Sequence, residues 1–412
     1  MMGAIAALPV LGACGARGDA ALTVWAMGNE AASLPELLKT IDWPAEAPPI
    51  TVQPLPWTAA HEKLLTGFAG GSLPTVSQVG NSWIAELAAI GAIAPVPDRA
   101  LGLLGDQFGA VVETNRIAGL AWAVPWYVDT RLQFYRKDLF ARAGYDAPPA
   151  DWAGWKAALH KVKRQAGAGN YALLYPLNEY EQLTTLALSA GARMLRDDGA
   201  RGAFSDPAFK AALAFYKSLF DEGLAPLASS AQISNIWDEF AKGYFGLFLS
   251  GPWTIGDLKT RLAPAMQDNW ATAPNPGPDG IGSAAPGGSS LVVFAGNDQS
   301  DAAWDLVSRL MAPAAQLKFQ QLTGDLPARR SVWAKAGLAD DPIVAPFGVQ
   351  LDHATPLPKV PEWERIVTEM QIVAERMVRG QYSVDEAAKE IDVRADRLLE
   401  KRRWMLEKGR AL

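Results

Sequence analysis

The sequence predicts an α/β protein folded as two lobes. The chain has 412 residues, beyond the roughly 250–300 at which a single hydrophobic core stops growing. From residue 21 onward, short apolar runs of strand character alternate with amphipathic helical stretches, the order from which mixed α/β folds are built. Hydrophobic residues make up 49% and charged residues 20%, ordinary values for a water-soluble globular chain.

Residues 3–13 read GAIAALPVLGA. This apolar run is broken by Pro9 and is shorter than the roughly 20 residues a bilayer span takes. It fits the apolar core of a secretory signal. It ends in Leu11-Gly12-Ala13-Cys14, which resembles the bacterial lipoprotein cleavage box: small residues give the peptidase access to the backbone, and the cysteine carries the lipid. The alternative is a small buried cysteine, but Cys14 is the only cysteine in the chain and sits where the box needs it. No Lys or Arg precedes the run, where such signals ordinarily carry one. Residues 1–20 are therefore expected to be signal and tether, lipidated at Cys14. That places the protein in the periplasm or on the outer face of the cell membrane, held there by the anchor alone.

Leu22–Met27 and Ile50–Leu55 read as the first two strands, with a helix near Ser33–Ile41 between them. Pro74–Val79 reads as a third strand, followed by a helix over Trp83–Ile90. Ser205-Asp206-Pro207 supplies a cap and a first-turn proline. Phe209, Leu213, Tyr216 and Phe220 then recur at helical spacing and Gly223 ends the helix. Ser383-x-x-Glu386 is a capping box that opens a long charged helix to about Lys408, expected to present a solvated face. Two stretches read as loops or inter-lobe segments: Ala273–Ser290, rich in Pro and Gly, and Pro342–Pro361, rich in Pro. Because the first lies late in the chain, several crossings between lobes are expected.

Chemistry-bearing motifs are sparse. The net charge of −6 argues against nucleic acid or an anionic membrane surface as a main partner, since both require clustered Lys and Arg. His61, His160 and His353 are far apart in sequence, and with one cysteine no metal-ligand spacing exists, so neither metal nor cofactor is expected. The nucleophile elbow, the phosphate loop and the zinc-protease motif are absent from the sequence. The acidic pairs Asp197-Asp198 and Asp340-Asp341 lie in turn-like contexts. A glycosidase needs two carboxylates about 5–10 Å apart, which a sequence does not reveal.

Tryptophan stands out: the chain has 15, several flanked by Pro or Gly, as in Pro56-Trp57, Pro125-Trp126-Tyr127 and Pro252-Trp253. A sugar presents apolar C–H faces, which flat rings cover, and hydroxyl edges, which carboxylates and amides bind. Any one tryptophan on its own is more often core filling.

Read together, several segments resemble family 1 of the extracellular solute-binding proteins. Val124–Phe140 (VPWYVDTRLQFYRKDLF), then Gly144 and Trp152, resemble the family's strand crossing between lobes. Phe245–Ile255 (FGLFLSGPWTI) resembles its later strand ending in Gly-Pro-Trp, and Trp304–Arg329 its late helix pair ending in a Leu-Pro-x-Arg turn. Trp25–Glu30, Pro56–Leu65 and Gln78–Leu87 match its N-terminal lobe. The likeness runs from about residue 22 to 408 and, within the family, is greatest to trehalose- and maltose-binding proteins.

The resemblance implies a periplasmic-binding-protein fold with a multi-strand hinge: one lobe from 21–128 plus 285–330, the other from 129–284 plus 331–412. It implies a monomeric binding component of an ABC sugar importer, not an enzyme. Such a protein closes on a di- or short oligosaccharide, with a trehalose- or maltose-type α-glucoside favoured, and delivers it to transmembrane permease subunits. By the same resemblance Asp129 binds hydroxyls and Tyr127 stacks, Trp253 supplies a second platform, and Glu30 accepts from hydroxyls. The Gly287-Gly288-Ser289 turn offers backbone N–H groups and Arg329 donates near the hinge. Trp57, His61 and Trp83 match family positions. Two departures are visible: Gly80-Asn81-Ser82 precedes Trp83 where the trehalose and maltose binders place an acid, so that Asn81 substitutes an amide, and Ser289 stands where some members have tryptophan. The rival readings are a lipid-anchored carbohydrate-active enzyme and a glycan-binding module.

Overall fold

The computed structural model describes residues 21–233 and 235–409; the segment expected to be signal and tether, with Cys14, lies outside them. Two sheets organise the chain. The larger has six strands: β1 (Leu22–Met27), β2 (Ile50–Leu55), β3 (Val76–Gly80), β4 (Val124–Thr130), β8 (Pro286–Val293) and β9 (Leu326–Pro327). Their order is β9-β4-β8-β3-β1-β2. β1 pairs in parallel with β2 and β3, whereas β8 runs antiparallel to both β3 and β4. The smaller sheet, β6-β5-β7, is antiparallel and comprises β5 (Leu132–Arg136), β6 (Leu247–Ser250) and β7 (Trp270–Ala273). β1, β4, β5 and β6 are almost wholly buried.

β4 and β5 are separated by one residue, Arg131, so the chain passes there from one sheet directly into the other. Immediately after, Arg136 is 6% exposed and fully engaged. Its guanidinium donates to both Asp138 carboxylate oxygens at 2.8 and 2.9 Å and to the carbonyls of Phe240 and Ala241 at 2.6 and 2.8 Å. The YRKDLF segment thus fastens β5 to the C-terminal end of the helix Ile236–Lys242, where carbonyls lack partners.

Most sequence-level elements are where the pattern put them. The first helix begins earlier, at Gly28, and ends at Leu38, because Gly28 at φ +59° starts it directly from β1. The capping box at Ser383 opens the helix Val384–Leu398, but Leu399 divides it from a second helix, Glu400–Glu407. Its charged appearance is also only half the account. Ala387, Ala388, Ile391 and Ala395 are buried, while Asp392 and Asp396 accept backbone N–H bonds from Phe204, Ser205 and Gly202. The two loop segments are likewise corrected: residues 286–290 form the start of a central strand, and the helix Ala345–Asp352 lies within Pro342–Pro361.

Candidate ligand-binding cleft

A cavity of about 490 Å³ opens beside the end of β4 and the start of β8. Its wall includes Trp57, Asn81, Trp83, Asp129, Trp253 and Gly288 from the residues predicted above. Arg131, Tyr180, Glu181, Thr184, Thr185, Lys359 and Glu364 join them, and these the sequence reading missed. Arg131 had a legible signal: it lies two positions after Asp129, in the segment where the chain crosses between sheets. The others come from helix starts and an irregular strap, which have no period to read.

The aromatic wall is built in one block. Pro56 ends the turn and Trp57 opens the helix Trp57–Ala69. Trp57 meets Trp83 edge to face at 5.7 Å, and His61, one turn further on, stacks on Trp83 at 4.9 Å. His61 is also bonded to Glu86 at 2.9 Å, so it buttresses Trp83. Opposite, Trp253 is 49% exposed, the highest exposure of any candidate site residue. A Cβ on Gly251 would fall 2.1 Å from the Trp253 ring; the glycine of Gly-Pro-Trp is there to seat that indole. The Arg131 guanidinium lies 5.2 Å from the Trp253 ring centre and is held by Glu181 at 2.7 Å. Trp126, by contrast, is fully buried and stacks on Phe319, so the tryptophan of the middle Pro-Trp pair is core.

Beneath the aromatic wall lies a carboxylate group. Glu30 is 6% exposed; its Oε1 accepts from Gln78 Nε2 at 3.3 Å, and Gln78 in turn accepts from the Met27 N–H at 2.8 Å. Tyr127 is buried beside the Glu30 carboxylate and packs near Phe319; it forms the layer below the wall rather than a stacking surface in it. Burial and the neighbouring carboxylates of Glu30, Asp325 and Asp129 push its phenol well above the usual range. Asp129 faces the cavity. Desolvation raises its carboxyl to about 6, against the opposing pull of Arg131 and the Gly288 N–H bond. Asp325 was not foreseen. Burial, with Glu30 adding repulsion, raises it to about 8, and its Oδ2 has no hydrogen-bond partner.

The double glycine is a strand, not a turn. Gly288 has φ +97°, and a Cβ there would sit 2.3 Å from the Tyr127 carbonyl; a Cβ on Gly287 would sit 2.0 Å from Asp129 Oδ1. The register of β8 shifts against β4 between Ser289 and Ser290, a bulge of the kind that re-aims a strand beside a site. The Gly288 N–H lies near enough to the Asp129 carboxylate to favour its charged form. Ser289 is fully buried with its Oγ unpartnered. Asn81 donates to the Gly287 carbonyl at 3.1 Å and accepts from Ser290 Oγ at 2.8 Å, stapling β8 and leaving one N–H. Arg329 is placed away from the cavity wall: it pairs with Asp106 at 3.1 Å and donates to the Met311 carbonyl.

Among the described residues no group of His, Cys, Asp and Glu is arranged to hold a metal ion. The cleft is lined by the indoles of Trp57, Trp83 and Trp253, by the carboxylates of Asp129, Glu181 and Glu364 and by the Arg131 guanidinium. The profile of the family described as bacterial extracellular solute-binding protein matches residues 46–346. The chain belongs to that family. As a solute-binding protein it has close structural relatives. The sugar-binding protein MalE from Xanthomonas citri is 45% identical, with TM-score 0.90 over 94% of this chain and 99% of that one. The cyclic α-maltosyl-1,6-maltose binding protein of Arthrobacter globiformis is 25% identical, with TM-score 0.80 over 93% and 100%. In sequence, the diacetylchitobiose binding protein DasA of Streptomyces coelicolor is 24% identical over 392 residues, 92% of this chain and 90% of its own length.

Proposed function

We propose that this solute-binding protein is the sugar-capturing component of an ABC importer, taking a di- or short oligosaccharide, and that it binds its ligand without transforming it. The observation that carries this reading is the pairing of exposed indole with carboxylate across one cavity: Trp253 and Trp57 can cover sugar C–H faces while Asp129 accepts from hydroxyls. The 45% identical relative carries sugar binding in its name, and a second relative is named for binding cyclic α-maltosyl-1,6-maltose. An α-glucoside of maltose or trehalose type is the favoured ligand.

The two stretches 21–128 plus 285–330 and 129–284 plus 331–412 act as lobes that close over the ligand. Closure favours whichever state the ligand contacts more. The closed monomer delivers its cargo to the permease, and Cys14 anchors it to the membrane. Glu30, Tyr127 and His61 support the wall residues, and Arg329 secures the segment after β9.

The test is a thermal-shift panel of maltose, trehalose, sucrose and diacetylchitobiose with product analysis. A raised melting temperature with the sugar recovered unchanged is expected. Turnover at enzymatic rates would overturn the reading, as would no shift with any of the sugars.

A further inference from the structure

The strands pass between the two sheets at two places: from β4 to β5 at Arg131, and from β7 to β8 across residues 274–285. Polar side chains sealed from solvent gather there. Thr130 and Asn275 are 1% exposed, and Gln133 and Gln350 are 0% exposed. Gln350 comes from the helix Ala345–Asp352. All four lie outside the cavity wall.

Their hydrogen bonds run from one passage to the other. Asn275 Nδ2 donates to the Arg131 carbonyl at 2.7 Å, Gln133 Nε2 to the Pro274 carbonyl at 2.6 Å, and Thr130 Oγ1 to the Ala285 carbonyl at 3.0 Å. Gln350 holds the second passage at two points. Its Oε1 accepts from the Asn275 N–H at 2.7 Å, and its Nε2 donates to the Gly282 carbonyl at 2.9 Å. Burying a polar group costs free energy unless it is bonded, and the bonds return little beyond that cost. Apolar side chains of similar size would fill the same space. What the amides and the hydroxyl add is a fixed register between the two passages. Two independent crossing strands can twist as well as bend; strands tied side by side must bend together.

We infer that Thr130, Gln133, Asn275 and Gln350 are a hinge pin that sets ligand affinity without touching the ligand. The inference rests on the two-lobe closure proposed above. The ties restrict the arrangements open to the sugar-free protein. Cutting one widens that open ensemble, and the fraction ready to close falls. Such a change scales the affinity of every ligand that closes the lobes by one common factor.

The test uses the full chain with Thr130→Val and with Asn275→Ala. Valine keeps the shape of Thr130 and removes its donor. Titration calorimetry with maltose and with trehalose is paired with small-angle X-ray scattering with and without each sugar. The native chain contracts on binding. Each variant weakens both sugars by the same factor, about three- to tenfold, and its sugar-free radius of gyration exceeds the native one. Thr130→Ser, which keeps the hydroxyl, restores native affinity. Should Asn275→Ala fail to fold, Thr130→Val and its serine rescue decide.

A lower melting temperature with unchanged affinities overturns the inference and leaves the four residues a purely structural role. Weakening of one sugar and not the other also overturns it, since the effect then lies in ligand contact. Binding by the native chain without contraction removes the closure reading, and the inference falls with it. Binding of neither sugar by the native chain removes both through the sugar reading, before any variant is compared.

Discussion

At Trp253 and Asp129, single side chains carry the two halves of the recognition chemistry proposed above. Trp253 has half its surface in the open, so removing the ring subtracts ligand contact more than fold stability. Trp253→Ala is expected to weaken sugar binding roughly 10- to 30-fold, about 1.5–2 kcal/mol, with the melting temperature nearly unchanged; an unaltered titration isotherm would move the cleft elsewhere. Asp129 titrates near 6. Its ionised form is the stronger acceptor for a hydroxyl, so affinity should rise between pH 5 and 7, and Asp129→Asn should flatten that profile. Asp325 behaves differently because its role is in stability. Its carboxyl is raised to about 8 in the folded chain against about 3.9 unfolded. The native state therefore holds the proton more tightly, and stability falls as pH climbs from about 4 to 8. Asp325→Asn should melt above the native protein at pH 8.5 and level with it near pH 4.5, a comparison thermal melts across pH would settle.

Among the elements, β8 is the most demanding. A side chain on Gly288 would meet the Tyr127 carbonyl and hold φ at +97°. Gly288→Ala should therefore cost on the order of 3 kcal/mol, measured as a drop in the urea midpoint at unchanged slope. β8 also marks what the sequence could and could not reveal. β1 and β2 were legible to the residue because both are runs of β-branched and apolar side chains bounded by polar turns. The Pro/Gly stretch read as a loop because its glycines signal turns locally, whereas the need for them is set by Tyr127 and Asp129, some 160 residues earlier in the chain. The same holds for the cleft. Trp57, Trp83, Asp129 and Trp253 stood out by residue type and motif. Asp325 and Lys359 sit in irregular backbone, brought to the site only by tertiary packing. Arg329 followed a motif to the right place in the chain, but Asp106 claims its charge.

For the whole molecule, the mouth of the cleft has its own cross-tie. Lys359, on the strap before the last helices, donates to the Glu113 carboxylate at 2.7 Å and to its carbonyl at 3.1 Å, joining the two stretches assigned to opposite lobes. Glu113 is half exposed, so the pair is worth no more than about 1 kcal/mol. Glu113→Gln should accordingly weaken sugar affinity by at most about fivefold, through faster release rather than slower capture, as stopped-flow measurements would show.

Arg131 is the one residue between the strands of the two sheets, and it also touches Trp253 and Glu181. Taste and movement thus share a single peptide. Under the closure proposed above, a substitution chosen there to change which ligand is preferred would also alter the connection about which the two stretches move, so selectivity and closing rate would change together at this position. An engineer wishing to retarget the protein would leave residue 131 alone and work from the opposite wall, at Trp57 and Ser82, where the backbone carries no crossing.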